Sequence, residues 1–354
     1  MPAKPVQPST KASGWEAFDR IVAAAAPDGA HSNPWAADET GQLGYEPDYT
    51  TLAKLLGVPL RLRAKTTTGV PALALDVWLS YELRRAGFDA DAVWPRPTPP
   101  RVLPAPVASL LSKLKGAERE ALWKRLSGKT AVKGAVASEA KILGKNYRKQ
   151  VDVVMSDWAT GPELLISTKR MDSSFGKNAP NRVEESYGDA KNLRLRHPMA
   201  ALGFVFGLRS TAFAESPDTA DWIIDLLQKL GREDDAYHAV SLIVIEYGSE
   251  YLVDESGNGH DDESPPEKEA PFPDDGALFP EEGPGAAETA DRGEVDKVLA
   301  SLPEVSLQME RVPAVLRPEA FLTNMVERVL DATPVDFHRE ARARRKNPRI
   351  KHVL

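Results

Sequence analysis

Apolar residues recur with two different periods along this chain. In its first part they return every three or four positions, which is the spacing of amphipathic helices. The segments with this spacing are GWEAFDRIVAAAA, YTTLAKLLG and VPALALDVWLSYELRRAGF. The proline-rich stretch VWPRPTPPRVLPAP then enforces an extended connection. Two basic helices are predicted after it, at about 106–127 and 132–147.

The middle of the chain has the character of β-strands. QVDVVMSDW and ELLISTKRM are rich in β-forming residues, and ATGP between them is typical of a hairpin. The following segments alternate as helix, buried strand, helix and buried strand: NRVEESYGDAKNLRLR, AALGFVFGL, DTADWIIDLLQKLGRE and AVSLIVIEYG. This order predicts an α/β fold in which helices flank a mixed β-sheet.

Composition divides the chain into five regions. Residues 1–13 are expected to be disordered, and 14–130 form a mostly helical N-terminal region. Residues 131–253 form the α/β core. Residues 254–294 are rich in Asp, Glu, Pro and Gly and cannot bury a core, so we expect a disordered acidic linker. Residues 295–354 are predicted to be a helical C-terminal segment with a basic tail.

The chain has 354 residues and no cysteine, which excludes disulfides, thiolate zinc sites and cysteine nucleophiles. No apolar run approaches the ~18 residues of a membrane span, so no membrane association is expected. The N-terminus has no apolar stretch of the kind found in signal peptides. A cytoplasmic protein is therefore predicted.

The net charge of −7 is distributed unevenly. Fourteen acidic and two basic residues give the segment 254–294 a charge of −12, so the other residues together carry +5. Between residues 109 and 150, eleven basic residues face three acidic ones. Clustered positive charge of this kind favours a polyanionic partner, although a solvated helical face has the same appearance.

Candidate chemistry lies on the two predicted hairpin strands. Asp152 interrupts an apolar strand, where aspartate is disfavoured. The period of two places Ser167 and Lys169 on one face of the second strand. A hairpin would bring Asp152 close to Lys169, either as a structural ion pair at the end of the sheet or as part of an active site.

The order of a helix bearing Glu139, then Asp152, a hairpin to Lys169, a helix and a buried strand resembles the PD-(D/E)xK nuclease superfamily, and within it type II restriction endonucleases. The resemblance covers about residues 133–210. It implies a restriction-endonuclease-like fold and Mg²⁺-dependent hydrolysis of double-stranded DNA, with a homodimer cutting both strands.

The resemblance also implies roles for individual residues. Asp152 would bind Mg²⁺, together with the backbone carbonyl of Thr168 and the helical acid Glu139. Lys169 would orient the attacking water or stabilise charge on the phosphate. Oxygen ligands suit Mg²⁺, which neutralises phosphate and lowers the pKa of bound water.

Ser167 stands where the motif has its second acid. A subset of restriction endonucleases is similar to this chain, with Ser-x-Lys on the strand and the acid on the next helix. Glu184 and Glu185 follow Lys169 by fifteen and sixteen residues and are the candidates for that acid. Asn181 and Glu184 also fit a helix capping box, which would leave Glu185 as the metal ligand.

Polar residues around the predicted site are candidates for DNA contact. Those that follow the catalytic strand are expected to lie in a loop and at the start of the next helix, and two basic residues precede Asp152. These candidates are Lys177, Asn178, Asn181, Arg182, Arg148 and Lys149.

Two other functions are compatible with the sequence. The protein could be a non-catalytic DNA-binding protein that retains the nuclease fold, which the serine at position 167 favours. It could also be an interaction subunit of a defence system, in which the acidic linker and the C-terminal helices dock a partner.

Overall fold

The computed structural model describes residues 9–127, 136–137, 139–253 and 292–350, with the side chains of 177–183 excepted. Its helices are α1 (Thr10–Ala25), α2 (Tyr49–Arg61), α3 (Val70–Arg85), α4 (Ala105–Lys113), α5 (Gly116–Ser127), α6 (Phe175–Arg194), α7 (Ala212–Glu215), α8 (Pro217–Leu230), α9 (Arg292–Ala300), α10 (Pro318–Ala332) and α11 (Arg339–Lys346). Its strands are β1 (Trp35–Ala37), β2 (Leu43–Tyr45), β3 (Val93–Trp94), β4 (Ala140–Leu143), β5 (Arg148–Val151), β6 (Val153–Asp157), β7 (Gly161–Met171), β8 (Ala201–Arg209), β9 (Ala239–Glu246), β10 (Ser306–Leu307) and β11 (Arg349–Ile350).

The largest sheet has six strands in the order β10-β9-β8-β7-β6-β3. Strands β7, β8 and β9 are parallel, because helices α6 and α8 make the crossovers between them. Strands β3, β6 and β10 pair antiparallel with their neighbours. The predicted α/β fold with a mixed sheet flanked by helices is therefore confirmed.

Helices cover both faces of this sheet. Alternation along β7 sends Ile166 into a core shared with α1, α2, α3 and α10, and sends Leu165 into a second core shared with α6 and α8. The two flanking layers leave the parallel strands β8 and β9 almost wholly buried, as their continuous apolar sequences predict.

Helix α3 is more deeply buried than its amphipathic pattern predicts. Every residue from Ala74 to Arg85 is buried, including charged ones. Arg85 forms an ion pair of 2.7 Å with Glu82, and Arg84 donates to backbone carbonyl oxygens, among them that of Val93 at 3.0 Å. Buried charges are tolerated because each has such partners.

The prediction of a second basic helix at 132–147 is wrong for its described part. Residues 140–151 form the β4–β5 hairpin, in which Ala140 pairs with Val151 and Leu143 with Arg148. The apolar positions here alternate, with Ala140, Ile142 and Val151 packed inward, and this period of two determines the structure. Residues 128–135 lie outside the described part of the chain.

The ends of three other predicted elements differ. Helix α1 already begins at Thr10, capped by the Ser9 side chain, inside the segment expected to be disordered. The helix predicted at 106–127 is divided into α4 and α5 at Leu114. The single helix predicted from about 294 to 332 is interrupted between α9 and α10, where prolines such as Pro303 and Pro313 cannot continue a helix.

The C-terminal segment completes the main core. Phe321 and Met325 of α10 pack on β8, where Gly203 makes room for the Phe321 ring. The basic residues of α11 are largely used inside the protein: Arg344 donates to the carbonyls of His31 and Arg85. Of the acidic linker predicted at 254–294, residues 254–291 lie outside the described part, and 292–294 belong to α9.

Within the described residues, no helix has both the length and the apolar character that crossing a bilayer requires.

Candidate active site

Asp152 lies at the junction of β5 and β6, beside the centre of the large sheet. Its Oδ2 atom accepts a hydrogen bond from the backbone N–H of Thr168 at 2.7 Å. Pairing of Val153 with Ile166 fixes this contact. Burial raises the pKa of Asp152, although the Thr168 N–H and the charge of Lys169 act in the opposite direction. The predicted approach of Asp152 to the end of β7 is therefore present.

A second carboxyl group reaches the same place from α3. Asp76 is 8% exposed, and its Oδ1 atom accepts a hydrogen bond of 2.5 Å from the Thr168 hydroxyl. Burial and the negative charge of Asp152 raise the pKa of Asp76 well above its usual range. Thr168 thus links two acids that are 76 residues apart in the chain, one through its N–H and one through its hydroxyl.

Asp76 was not among the residues expected from the sequence. The available signal was an aspartate in the middle of an apolar helical stretch, LALDVWLS. An acid at such a position needs a partner inside the protein. The sequence does not identify that partner, because it lies on a strand 92 residues later.

The side chain of Lys169, the next residue of β7 after Thr168, meets Glu185 of α6. The Lys169 Nζ atom lies 3.4 Å from Glu185 Oε1. Burial disfavours the ionised form of Glu185, but the charges of Lys169 and Lys149 outweigh this effect and lower its pKa. Both acids considered from the sequence are exposed, and Glu185 is the one held beside Lys169.

Lys149 belongs to this cluster as well. Its Nζ atom lies 3.2 Å from Glu185 Oε1 and 2.9 Å from Asp189 Oδ2. Tyr147 donates a hydrogen bond of 3.2 Å to the other carboxylate oxygen of Asp189. Burial opposes the charge on Lys149, but the hydrogen bond and charge of Asp189 raise its pKa above the usual range.

Ser167 is buried between this cluster and the second core. Its hydroxyl lies within hydrogen-bonding reach of the Tyr237 phenol, which donates to the carbonyl of Ser186 at 2.9 Å. Ser167 thus faces the helix that carries Glu185. A longer acidic side chain at this position would meet the phenol.

Glu139 lies at the start of the β4–β5 hairpin. The expectation that it lies on a helix is wrong, because it immediately precedes β4, where the strand pattern of the hairpin replaces the predicted helix. Its carboxylate lies 3.9 Å from the ammonium group of Lys11. The helical acid beside Asp152 is Asp76 of α3.

The expected loop after β7 is shorter than predicted. Helix α6 begins at Phe175, so Asn181 lies within the helix and does not cap it. Lys177, Asn178, Asn181 and Arg182 therefore all lie on the first two turns of α6, and their side chains are outside the described part.

Arg148 and Lys149 point in opposite directions. Lys149 shares its face of β5 with the inward-facing Val151, whereas Arg148 pairs with Leu143, whose side chain is exposed. Of these two candidates for DNA contact, Arg148 lies on the outer face and Lys149 lies inside the cluster.

Among the described residues, no three acidic or histidine side chains are arranged closely enough to hold a metal ion. Two carboxylates, those of Asp76 and Asp152, do lie on either side of Thr168 and repel each other. A cation between them would relieve this repulsion, and their oxygens are the ligands that Mg²⁺ prefers. Asp76 and Asp152 therefore supply two carboxylates that suit a divalent cation.

Comparisons of the chain with models of protein families, with curated proteins and with solved structures gave no significant match.

Proposed function

We propose that this protein is a Mg²⁺-dependent endonuclease that hydrolyses phosphodiester bonds of double-stranded DNA, similar to type II restriction endonucleases. Two contacts at neighbouring residues of β7 carry the proposal: the Thr168 N–H donates to Asp152, and Lys169 lies 3.4 Å from Glu185. Acids beside a lysine are the groups that phosphodiester hydrolysis needs.

The order of the elements around these residues supports the same proposal. The antiparallel strands β6 and β7 are followed by α6 and by the parallel strand β8. This is the arrangement that the resemblance to PD-(D/E)xK nucleases implies. The helical acid of the site would be Asp76 of α3, which lies much earlier in the chain than the resemblance implied.

Each residue of the site would have a separate role. Asp76, Asp152 and the carbonyl of Thr168 would hold Mg²⁺, with Glu185 as a further ligand. The bound cation would neutralise phosphate charge and lower the pKa of a bound water. Lys169 would donate hydrogen bonds to that water or to a phosphate oxygen.

Charge around the site supports DNA as the substrate. The exposed side chains of the β4–β5 hairpin include Lys141 and Lys145, and Arg148 lies on its outer face. These cations would contact phosphates beside the scissile bond. Cutting both strands of a duplex would require two copies of the chain, so we propose a homodimer that acts in the cytoplasm.

Supercoiled plasmid tests the proposal directly. Wild-type protein with Mg²⁺ is expected to produce nicked and linear DNA, and excess EDTA should stop it. Lys169→Ala should slow cleavage by about 100-fold or more, because a positioned charge at the reacting phosphate is lost. Sequencing the DNA ends would then give the recognition site and the stagger of the cut.

Equal nicking by wild type and Lys169→Ala would indicate a contaminating nuclease and reject the proposal. DNA binding without cleavage under any divalent cation would favour the non-catalytic alternative, for which the buried serine at position 167 is the structural argument.

A further inference from the structure

Two neighbouring basic residues of β5 lie on opposite faces of the β4–β5 hairpin. Arg148 lies on the outer face of the β4–β5 hairpin. Lys149 lies on the inner face, with a side chain only 17% exposed. A lysine is rarely buried without a partner, because burial disfavours its charge. The partners of Lys149 therefore indicate its role.

Lys149 has two acidic partners on α6. Glu185 and Asp189 are four residues apart, so one helical turn separates them on the same face. The Lys149 ammonium lies between them, at 3.2 Å and 2.9 Å. Tyr147, two residues before Lys149 in the chain, donates to Asp189 from the other side.

We propose that Lys149 is a positioning residue of the site, which holds Glu185 beside Lys169 while Asp189 keeps the ammonium in place. This inference rests on the proposed function, since it assigns Glu185 to a divalent cation. The Asp189 side chain is 7% exposed and that of Glu185 is 40% exposed, so Asp189 is the more firmly held acid. Glu185 can therefore turn toward a cation without leaving Lys149 unpaired.

The arrangement has a consequence for cation affinity. Lys149 places a positive charge next to an acid that would bind a cation, and like charges repel at this range. Removing that charge should strengthen cation binding. It should also free Glu185 from the position in which it assists cleavage. Tighter binding combined with slower cleavage is a pattern that a purely structural lysine would not produce.

The absence of cysteine from the chain permits a clean test. Lys149→Cys would carry the only thiol in the protein. Reaction of its thiolate with 2-bromoethylamine displaces bromide and gives a thioether analogue of lysine. Reaction with 1-bromopropane gives a side chain of the same length without the charge. Thermal unfolding of each product would verify that it is folded.

Affinity for Mn²⁺, measured from the electron paramagnetic resonance signal of the free ion, is the first readout. Lys149→Cys should bind Mn²⁺ about threefold more tightly. Its single-turnover cleavage should be about tenfold slower, because Glu185 is less well placed. Aminoethylation should reverse both changes and propylation neither. The control Arg148→Ala should leave Mn²⁺ affinity unchanged.

An unchanged or weaker Mn²⁺ affinity in Lys149→Cys would overturn this inference, as would equal rescue by the propyl group. If wild type does not cleave DNA but the Mn²⁺ pattern is found, the proposed function fails and the role of Lys149 stands. If wild type cleaves and the affinity does not change, only the role of Lys149 fails. Absence of Mn²⁺ binding by wild type would reject both.

Discussion

Asp76→Asn should stabilise the cation-free protein. Asp76 is almost fully buried, repelled by Asp152, and accepts one hydrogen bond from the Thr168 hydroxyl. Asparagine has nearly the same shape, keeps an acceptor for Thr168 and removes the buried charge. A buried polar group that is poorly compensated costs about 1–3 kcal/mol, so we expect the free energy of unfolding to rise by about that amount at pH 7.

The stabilisation by Asp76→Asn should depend on pH in a defined direction. The pKa of Asp76 is higher in the folded protein than in the unfolded chain. Its ionisation therefore opposes folding at neutral pH, and this penalty disappears as the pH falls through the raised pKa. The difference between wild type and variant should accordingly shrink toward pH 4. Urea unfolding followed by tryptophan fluorescence at several pH values would measure it.

Asp48→Asn is the matched control, with the opposite sign. Burial disfavours ionised Asp48, but hydrogen bonds from Thr51 and Tyr81 outweigh burial and lower its pKa. One carboxylate oxygen caps α2 and the other accepts from the hydroxyls of Thr51 and Tyr81. Asparagine has only one such acceptor, so the substitution should cost about 1 kcal/mol. Destabilisation by Asp76→Asn as well would refute the reasoning. Asp76 would then be a structural acid rather than one held ready for a cation.

The remaining predictions concern the α6 acids, the motif serine and the core. Glu185→Gln should slow plasmid cleavage by about 100-fold, whereas Glu184→Gln and Ser167→Ala should each stay within about threefold of wild type. Equal losses of cleavage rate in both glutamate variants would contradict the assignment of Glu185 as the metal ligand. Gly203→Ala should lower the free energy of unfolding by about 1–3 kcal/mol, because its Cβ would lie 2.7 Å from the Phe321 ring. Chemical denaturation would measure this loss, and unchanged stability would show that α10 can move aside.

The sequence predicted the centre of the fold because its periodic signals are strong there. Strands β7, β8 and β9 and helix α8 lie where their apolar patterns place them, and α6 begins six residues earlier than predicted. The β4–β5 hairpin was predicted to be a helix, since its basic residues obscured a short alternation of apolar ones. Prediction from local pattern fails where the charged residues suggest a helix but the apolar residues alternate as in a strand.

The candidate site was only partly predictable for a different reason. The hairpin pattern predicted the approach of Asp152 to the end of β7, and the family resemblance pointed to Glu185. Asp76 comes from a helix far upstream, and only the packing of α3 on the sheet places it there. Lys149 was a candidate for DNA contact because it precedes Asp152, and its contacts with the α6 acids could not be foreseen from the sequence.

The late position of α10 has a consequence for synthesis of the protein. All the candidate site residues are translated by residue 189, whereas Phe321 and Met325, which close the core over β8, follow more than a hundred residues later. Contacts between such distant segments form slowly and late in folding. We therefore expect nascent chains to remain inactive on the ribosome until α10 has emerged. The proposed cleavage of DNA would thus begin only when translation of the chain is nearly complete.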